Sequence, residues 1–142
     1  MTLTEKKLLL DFFNQILEEE QAGVKSLNDI LPEITDENLK AIILSFIRDE
    51  NMNCQILNSL ITNLGEIPGN NTRDFIWEVK DLCLIREKLK HFMERQEWVA
   101  KQIRYHRGLL DLTSSRIYME AMKIQHEENI DLMSKVLLSV NI

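Results

Sequence analysis

The chain has 142 residues and a net charge of -6, enough for one domain with a proper hydrophobic core. Four glycines and two prolines are too few for the many tight turns of a sandwich or barrel, so the composition points to helix. The acidic balance gives no general help in binding a phosphate backbone, and no apolar run approaches the roughly 18 residues of a membrane span.

The two cysteines, Cys54 and Cys83, form neither a CxxC pair nor a disulfide framework. The expectation is a cytoplasmic protein with reduced thiols and no nucleic-acid or membrane partner. Basic residues gather late in the third helix, among them Arg86, Arg95, Lys101 and Arg104. They alternate with acids around several faces and read as a solvated surface.

The first helix is expected over residues 3 to 30. Thr2 and Glu5 have capping-box spacing, and Leu9, Phe12, Ile16 and Leu27 recur at helical period. Pro32 ends it. Thr35, followed by Asp36 and Glu37, starts helix two, whose apolar face carries Leu39, Ile43, Phe46, Leu57 and Ile61 and which stops at Gly65. Gly65 to Asn71 is the one clear loop. Asn71 or Thr72 then caps a third helix running to about His106, with Gly108 as its stop. Asp111 or Thr113 opens helix four, with Leu112, Met119, Met122, Met133 and Leu137 on its stripe.

Helices of this length joined by short turns bury their stripes only against one another. The fold class is therefore all-α, an antiparallel four-helix bundle forming a single domain over residues 1–142. A seven-residue loop is short for a crossover along the bundle, so an up-down-up-down path fits more easily.

Three of the four stripes carry an ionisable residue at mid-length: Glu20, Glu50 and His126. A buried acid costs several kcal/mol unless it is paired, protonated or bound to a metal. Counting about 1.5 Å of rise per residue from the turns brings the three to similar heights. Phe92, Met93 and Gln96 of helix three point inward at that height, and Glu97 sits on the flank as a candidate fourth ligand. Gly23, one turn after Glu20, either admits a neighbouring helix or leaves room beside a carboxylate or for a small molecule.

The fragments EEEQAG (Glu18 to Gly23), DENMNCQIL (Asp49 to Leu57), Leu64 to Pro68, RQEWV (Arg95 to Val99) and HEENI (His126 to Ile130) resemble ferritin-like proteins. They are most similar to a bacterial ferritin-like family of unknown function. In metal-binding members one helix supplies a Glu and the next a Glu with a His three residues later, and the second pair of helices repeats this. The resemblance implies that Glu20 matches the first Glu and Glu50 the second. Asn53 stands where the His belongs, and Lys123 stands where His126 would have its Glu partner. At most half of a dinuclear set is present, which argues against di-iron oxygen chemistry and iron storage.

Two readings of Glu20, Glu50 and His126 follow. In the one the sequence favours, the site is an eroded, hydrogen-bonded polar cluster satisfied by Gln96, Asn53, Asn129, Arg86 and water. The protein is then non-catalytic, with a structural or protein-interaction role. In the other, the three residues hold one zinc, iron or manganese ion, with oxidoreductase-type chemistry as the implied activity. No cofactor is certain from sequence, and no nucleophile or oxyanion loop identifies an enzyme. Trp77, Leu84, His91, Trp98 and Tyr105 fall at seven-residue intervals on the outer side of helix three, and Ile117, Ala121 and Ile124 face outward on helix four. That spacing suits a partner helix, and a homodimer through helix three is expected.

Overall fold

The computed structural model describes residues 1–70 and 84–142. Among the described residues the α-helices are α1 (Leu3–Ile30), α2 (Glu37–Asn63), α3 (Ile85–Tyr105), the one-turn α4 (Arg107–Leu110) and α5 (Arg116–Ser139). Among the described residues there is no strand, and no helix is long and apolar enough to cross a membrane. Asn71, Thr72, Trp77 and Cys83 lie outside the described residues.

Local chemistry accounts for the helix ends. The Thr2 hydroxyl accepts the Glu5 amide at 3.1 Å while the Glu5 carboxylate accepts the Thr2 amide at 2.8 Å, which closes the expected capping box. Leu31–Glu33 tighten into a 3-10 turn around Pro32. Asp36 rather than Thr35 then caps α2, its carboxylate accepting the Leu39 amide at 2.8 Å. At the far end of α2, Gly65 takes φ 86°, and the amides of Gly65 and Glu66 return to the carbonyls of Thr62 and Ile61. This is a Schellman stop, and it needs a residue free to adopt the left-handed conformation.

The last helix starts later than the sequence suggests. Residues 107–110 form their own turn of helix, Leu110 is buried in place of Leu112, and α5 begins at Arg116. Arg86 closes the C-terminus of α5 by donating to the carbonyls of Leu137 (2.6 Å), Val140 (2.7 Å) and Ile142 (3.4 Å).

Two apolar cores divide the bundle along its length. One joins Leu27 and Ile30 of α1, Leu39 and Phe46 of α2, Leu89 and Phe92 of α3, and Met133 and Leu137 of α5. The other joins the opposite halves of the same helices: Leu9 and Phe13, Leu57 and Ile61, Val99 and Ile103, Met119 and Met122. The N-terminal halves of α2 and α3 therefore lie at the same end, so these two helices run parallel. The path is up-down-down-up, with a crossover, not up-down-up-down.

The physical reason lies in the reach of the chain. Seven extended residues span about 24 Å, whereas a helix the length of α2 is about 40 Å long. At Leu84, however, the backbone is extended (φ -93°, ψ 136°), and the helix that enters the core begins only at Ile85. Counted along the sequence, α2 ends at Asn63 and α3 begins at Ile85, so the two lie more than seven residues apart. Just after α2 the chain is held against α1: the Gly69 amide donates to Asn14, and Gln21 donates to the Gly69 carbonyl.

Candidate metal centre

Between the two apolar cores lies one polar layer. Each helix supplies to it the inward residue at the height where its own stripe passes from one core to the other. These are Glu20 from α1, Glu50 and Asn53 from α2, Gln96 from α3 and His126 from α5, and all are buried. The three ionisable residues that helical periodicity placed inside are thus brought together. Each offers one ligand atom, and these atoms lie within 4.8 Å of one another.

His126 Nε2 lies 2.7 Å from Glu20 Oε1, yet the two do not meet hydrogen-bond geometry. Asn53 Nδ2 donates to Glu20 Oε1 at 3.4 Å and more closely, at 2.8 Å, to Gln125 Oε1 on α5. Gln96 Nε2 donates to Glu50 Oε1 at 2.5 Å. The other carboxylate oxygens, Glu20 Oε2 and Glu50 Oε2, and both ring nitrogens of His126 are buried without a hydrogen bond from any protein group. Buried polar atoms without a partner are uncommon, because each forfeits its interaction with water. Two carboxylate oxygens and one nitrogen of the imidazole are then free to face a shared cation, since the two ring nitrogens point apart and each residue offers one ligand atom.

The donor set fits such an ion. Two donors at about 2.0–2.2 Å from one metal are no more than about 4.4 Å apart, so the cluster is a few tenths of an ångström from coordination. Two carboxylate oxygens and an imidazole nitrogen suit zinc, iron or manganese. Charge favours a single ion, since two carboxylates cancel one divalent cation and two such ions would leave an uncompensated buried charge.

Gly23 is part of this geometry. A Cβ there would stand 3.1 Å from Glu50 Oε1 and 3.2 Å from its Cδ, so the Glu50 carboxylate fills the space that the missing side chain leaves. That space holds the carboxylate and is not a pocket for a small molecule.

Several other sequence expectations resolve differently. Glu97 is exposed and pairs with Lys101 at 3.1 Å, so it does not join the cluster. One residue is a turn of about 100° on a helix, and Gln96 holds the inward position. Arg86 is committed to the end of α5, and Asn129 donates to Asp49 at 3.3 Å. Of the four groups the polar-cluster reading relies on, only Gln96 and Asn53 reach the layer. Lys123 is buried but turns to Glu127 on its own helix, 2.6 Å away. Cys54 is half-buried beside the layer, and burial, then the charge of Glu20, pushes its thiol up to about 12. Such a thiol is packing and not a nucleophile.

The sequence reading missed a buried ion pair. Glu19, buried beside Glu20, is held by the guanidinium of Arg95 across the α1–α3 seam. The signal was present in the order of residues: Glu19 precedes Glu20 as Arg95 precedes Gln96, so helices that share the layer through 20 and 96 meet at the seam through 19 and 95.

Leu84, extended just before α3, and Tyr105, the last residue of α3, are 59% and 83% exposed. The stripe is not uniform. His91 is largely covered, and Trp98 packs against the core while Arg95 lies 5.0 Å above its ring. Ile117, Ala121 and Ile124 are exposed on α5 as the spacing predicts.

Comparison with known proteins agrees with this architecture. A family model described as a domain of unknown function, DUF6306, matches residues 7–135. No curated protein matches the sequence. Among solved structures, the chain is similar to one described as ferritin-like, diiron-carboxylate proteins from Bacillus anthracis str. Ames. The TM-score is 0.84 at 20% identity, over 96% of this chain and 99% of that one. The likeness establishes the fold as a ferritin-like helical bundle.

Proposed function

Starting from a chain that belongs to the DUF6306 family, a domain of unknown function, we propose a ferritin-like bundle that binds one divalent metal ion through Glu20, Glu50 and His126. The observation that carries this reading is the set of partnerless atoms on those residues, all buried in one layer. A cluster held by hydrogen bonds among protein groups alone would pair them. Bound there, zinc would supply Lewis-acid chemistry, and iron or manganese one-electron chemistry as well. The chain's own residues hold the ion and exclude bulk water, while Gln96 and Asn53 orient the two carboxylates.

A structural or interaction role is favoured over turnover. The three residues are buried, and the groove lined by Met52, Ile56, Leu60 and Tyr118 includes none of them. Oxidoreductase chemistry remains the second reading, supported by the redox-capable ions that the donor set accepts. The similar structure from Bacillus anthracis is described as a diiron-carboxylate protein. Two carboxylates in the layer support one ion here in place of two.

Elemental analysis of protein purified without chelator tests the proposal. The expected result is about one equivalent of a transition metal, lost in Glu50→Ala and His126→Ala. A metal content that those substitutions leave unchanged would overturn it.

A homodimer through α3 is the companion proposal, supported by the exposure of Leu84 and Tyr105. Tyr105→Glu is expected to give a monomer in sedimentation, and an unchanged mass would remove the interface. Trp98→Glu is the less clean probe, because that ring also packs against the core.

A further inference from the structure

We infer that Gln96 is the residue that sets the charge of this site and with it the valence of the cation it prefers. The inference rests on reading Glu20, Glu50 and His126 as a cation site. Of the four long helices, α3 alone brings no ionisable side chain into the polar layer among the described residues. It brings the amide of Gln96, buried and donating to Glu50 Oε1 at 2.5 Å. The same oxygen sits 3.1 Å from where a Cβ on Gly23 would stand. Glu50 Oε1 thus has an amide donor and little room to move, and Oε2 is left as the oxygen without a protein donor.

Glu20 repeats the arrangement, with Oε1 taking the amide of Asn53 and Oε2 left over. An amide donates without adding charge, so the layer contains two acids and no more. The cations nearest in sequence are engaged elsewhere, Arg95 with Glu19 and Lys123 with Glu127. A divalent ion matches two carboxylates, whereas a trivalent ion leaves one positive charge uncompensated in a site closed to water. Gln96 is isosteric with glutamate. Gln96→Glu would put a third carboxylate beside Glu50 and move the match from a divalent to a trivalent ion.

The test is a competition between zinc and terbium(III), followed by terbium luminescence, on wild type, Gln96→Glu and Gln96→Met. Wild type should prefer zinc. Gln96→Glu should raise the terbium-to-zinc affinity ratio by about tenfold or more, through one added charge in a low-dielectric site. Gln96→Met loses the hydrogen bond without adding charge, so it should weaken both ions and leave the ratio unchanged. Should Gln96→Glu fold only with an ion present, refolding favoured by terbium over zinc supports the inference, and refolding that favours neither ion, or zinc, overturns it. An unchanged ratio in a Gln96→Glu protein that binds zinc overturns the role of Gln96 and leaves the cation site standing. A wild type that takes up neither ion overturns the site and the inference together.

Discussion

His126 Nε2 on α5 lies 2.7 Å from Glu20 Oε1 on α1, both side chains are buried, and the ring nitrogen still makes no hydrogen bond. A contact that close between a nitrogen and a carboxylate oxygen ordinarily is one. Here the direction is wrong while the distance is right, and Glu50 stands within 4.8 Å of both. Three elements distant in sequence hold three ligand-type atoms around one point.

Stability should depend on that point. A saturating ion that binds only the folded chain adds about 2.7 kcal/mol at a hundredfold excess over its dissociation constant. For a domain of this size that raises Tm by roughly 5–10 °C. Calorimetry with and without zinc should show this shift in wild type and in Glu97→Gln, and none in His126→Ala. A shift abolished by Glu97→Gln would mean that the exposed Glu97–Lys101 pair has been misjudged.

Gly23→Ala should separate metal affinity from stability. Alanine gains about 1 kcal/mol of helix propensity over glycine. Its Cβ would crowd Glu50 Oε1 and Cδ, and Phe92 lies 3.4 Å away on the same side. Glu50 is pinned by Gln96 and cannot give way freely. The two effects on folding roughly offset, so the expected change in Tm is under about 4 °C. Zinc affinity measured by titration should nonetheless fall about tenfold or more. Unchanged affinity would show that Glu50 accommodates the methyl group.

Arg95→Ala should be among the more damaging substitutions away from the metal. Glu19 is buried, and Arg95 covers it from the α1–α3 seam while lying over Trp98. Removing Arg95 takes a charged donor from a buried carboxylate, at a cost of about 1–3 kcal/mol. Urea unfolding measures it, and the double variant Arg95→Ala/Glu19→Leu should recover most of the loss. A cost below about 0.5 kcal/mol would place this pair with ordinary surface ion pairs.

The Cys54 thiol gives a stability that depends on pH in a definite direction. Burial and the Glu20 charge push it from 9.0 to about 12, so the folded chain keeps a proton that the unfolded chain releases. Below pH 9 both states hold it and nothing is contributed. From about pH 9 toward 12 the unfolded state binds fewer protons, and stability falls as pH rises. Urea unfolding in a Cys83→Ser background should therefore lose stability between pH 8 and 10.5 relative to Cys54→Ala. Alkylation of Cys54 that saturates near pH 9 would contradict this.

Much of the site is legible from periodicity. Glu20, Glu50 and His126 align with flanking apolar residues at the helical repeat, and a fixed rise per residue gives their heights from the turns. Gln96 falls on the same level by the same count. The neighbours that act on them are less legible. That Arg86 closes the end of α5, or that Asn53 reaches Gln125 as well as Glu20, depends on which helices adjoin and at what angle.

The sequence alone determined that long helices form, which side of each turns inward and the depth of the three ionisable groups, because backbone geometry ties position along a helix to angle and height. It did not determine where the third and last helices begin, nor the route between α2 and α3. A loop read as seven residues favoured a near-end connection and left a crossover open, whereas the shared core of Phe46 with Phe92 puts α2 and α3 in parallel. Tertiary packing also chose Gln96 over Glu97 and seated the Glu50 carboxylate against Gly23, since close approach between helices is settled by the shapes that meet there.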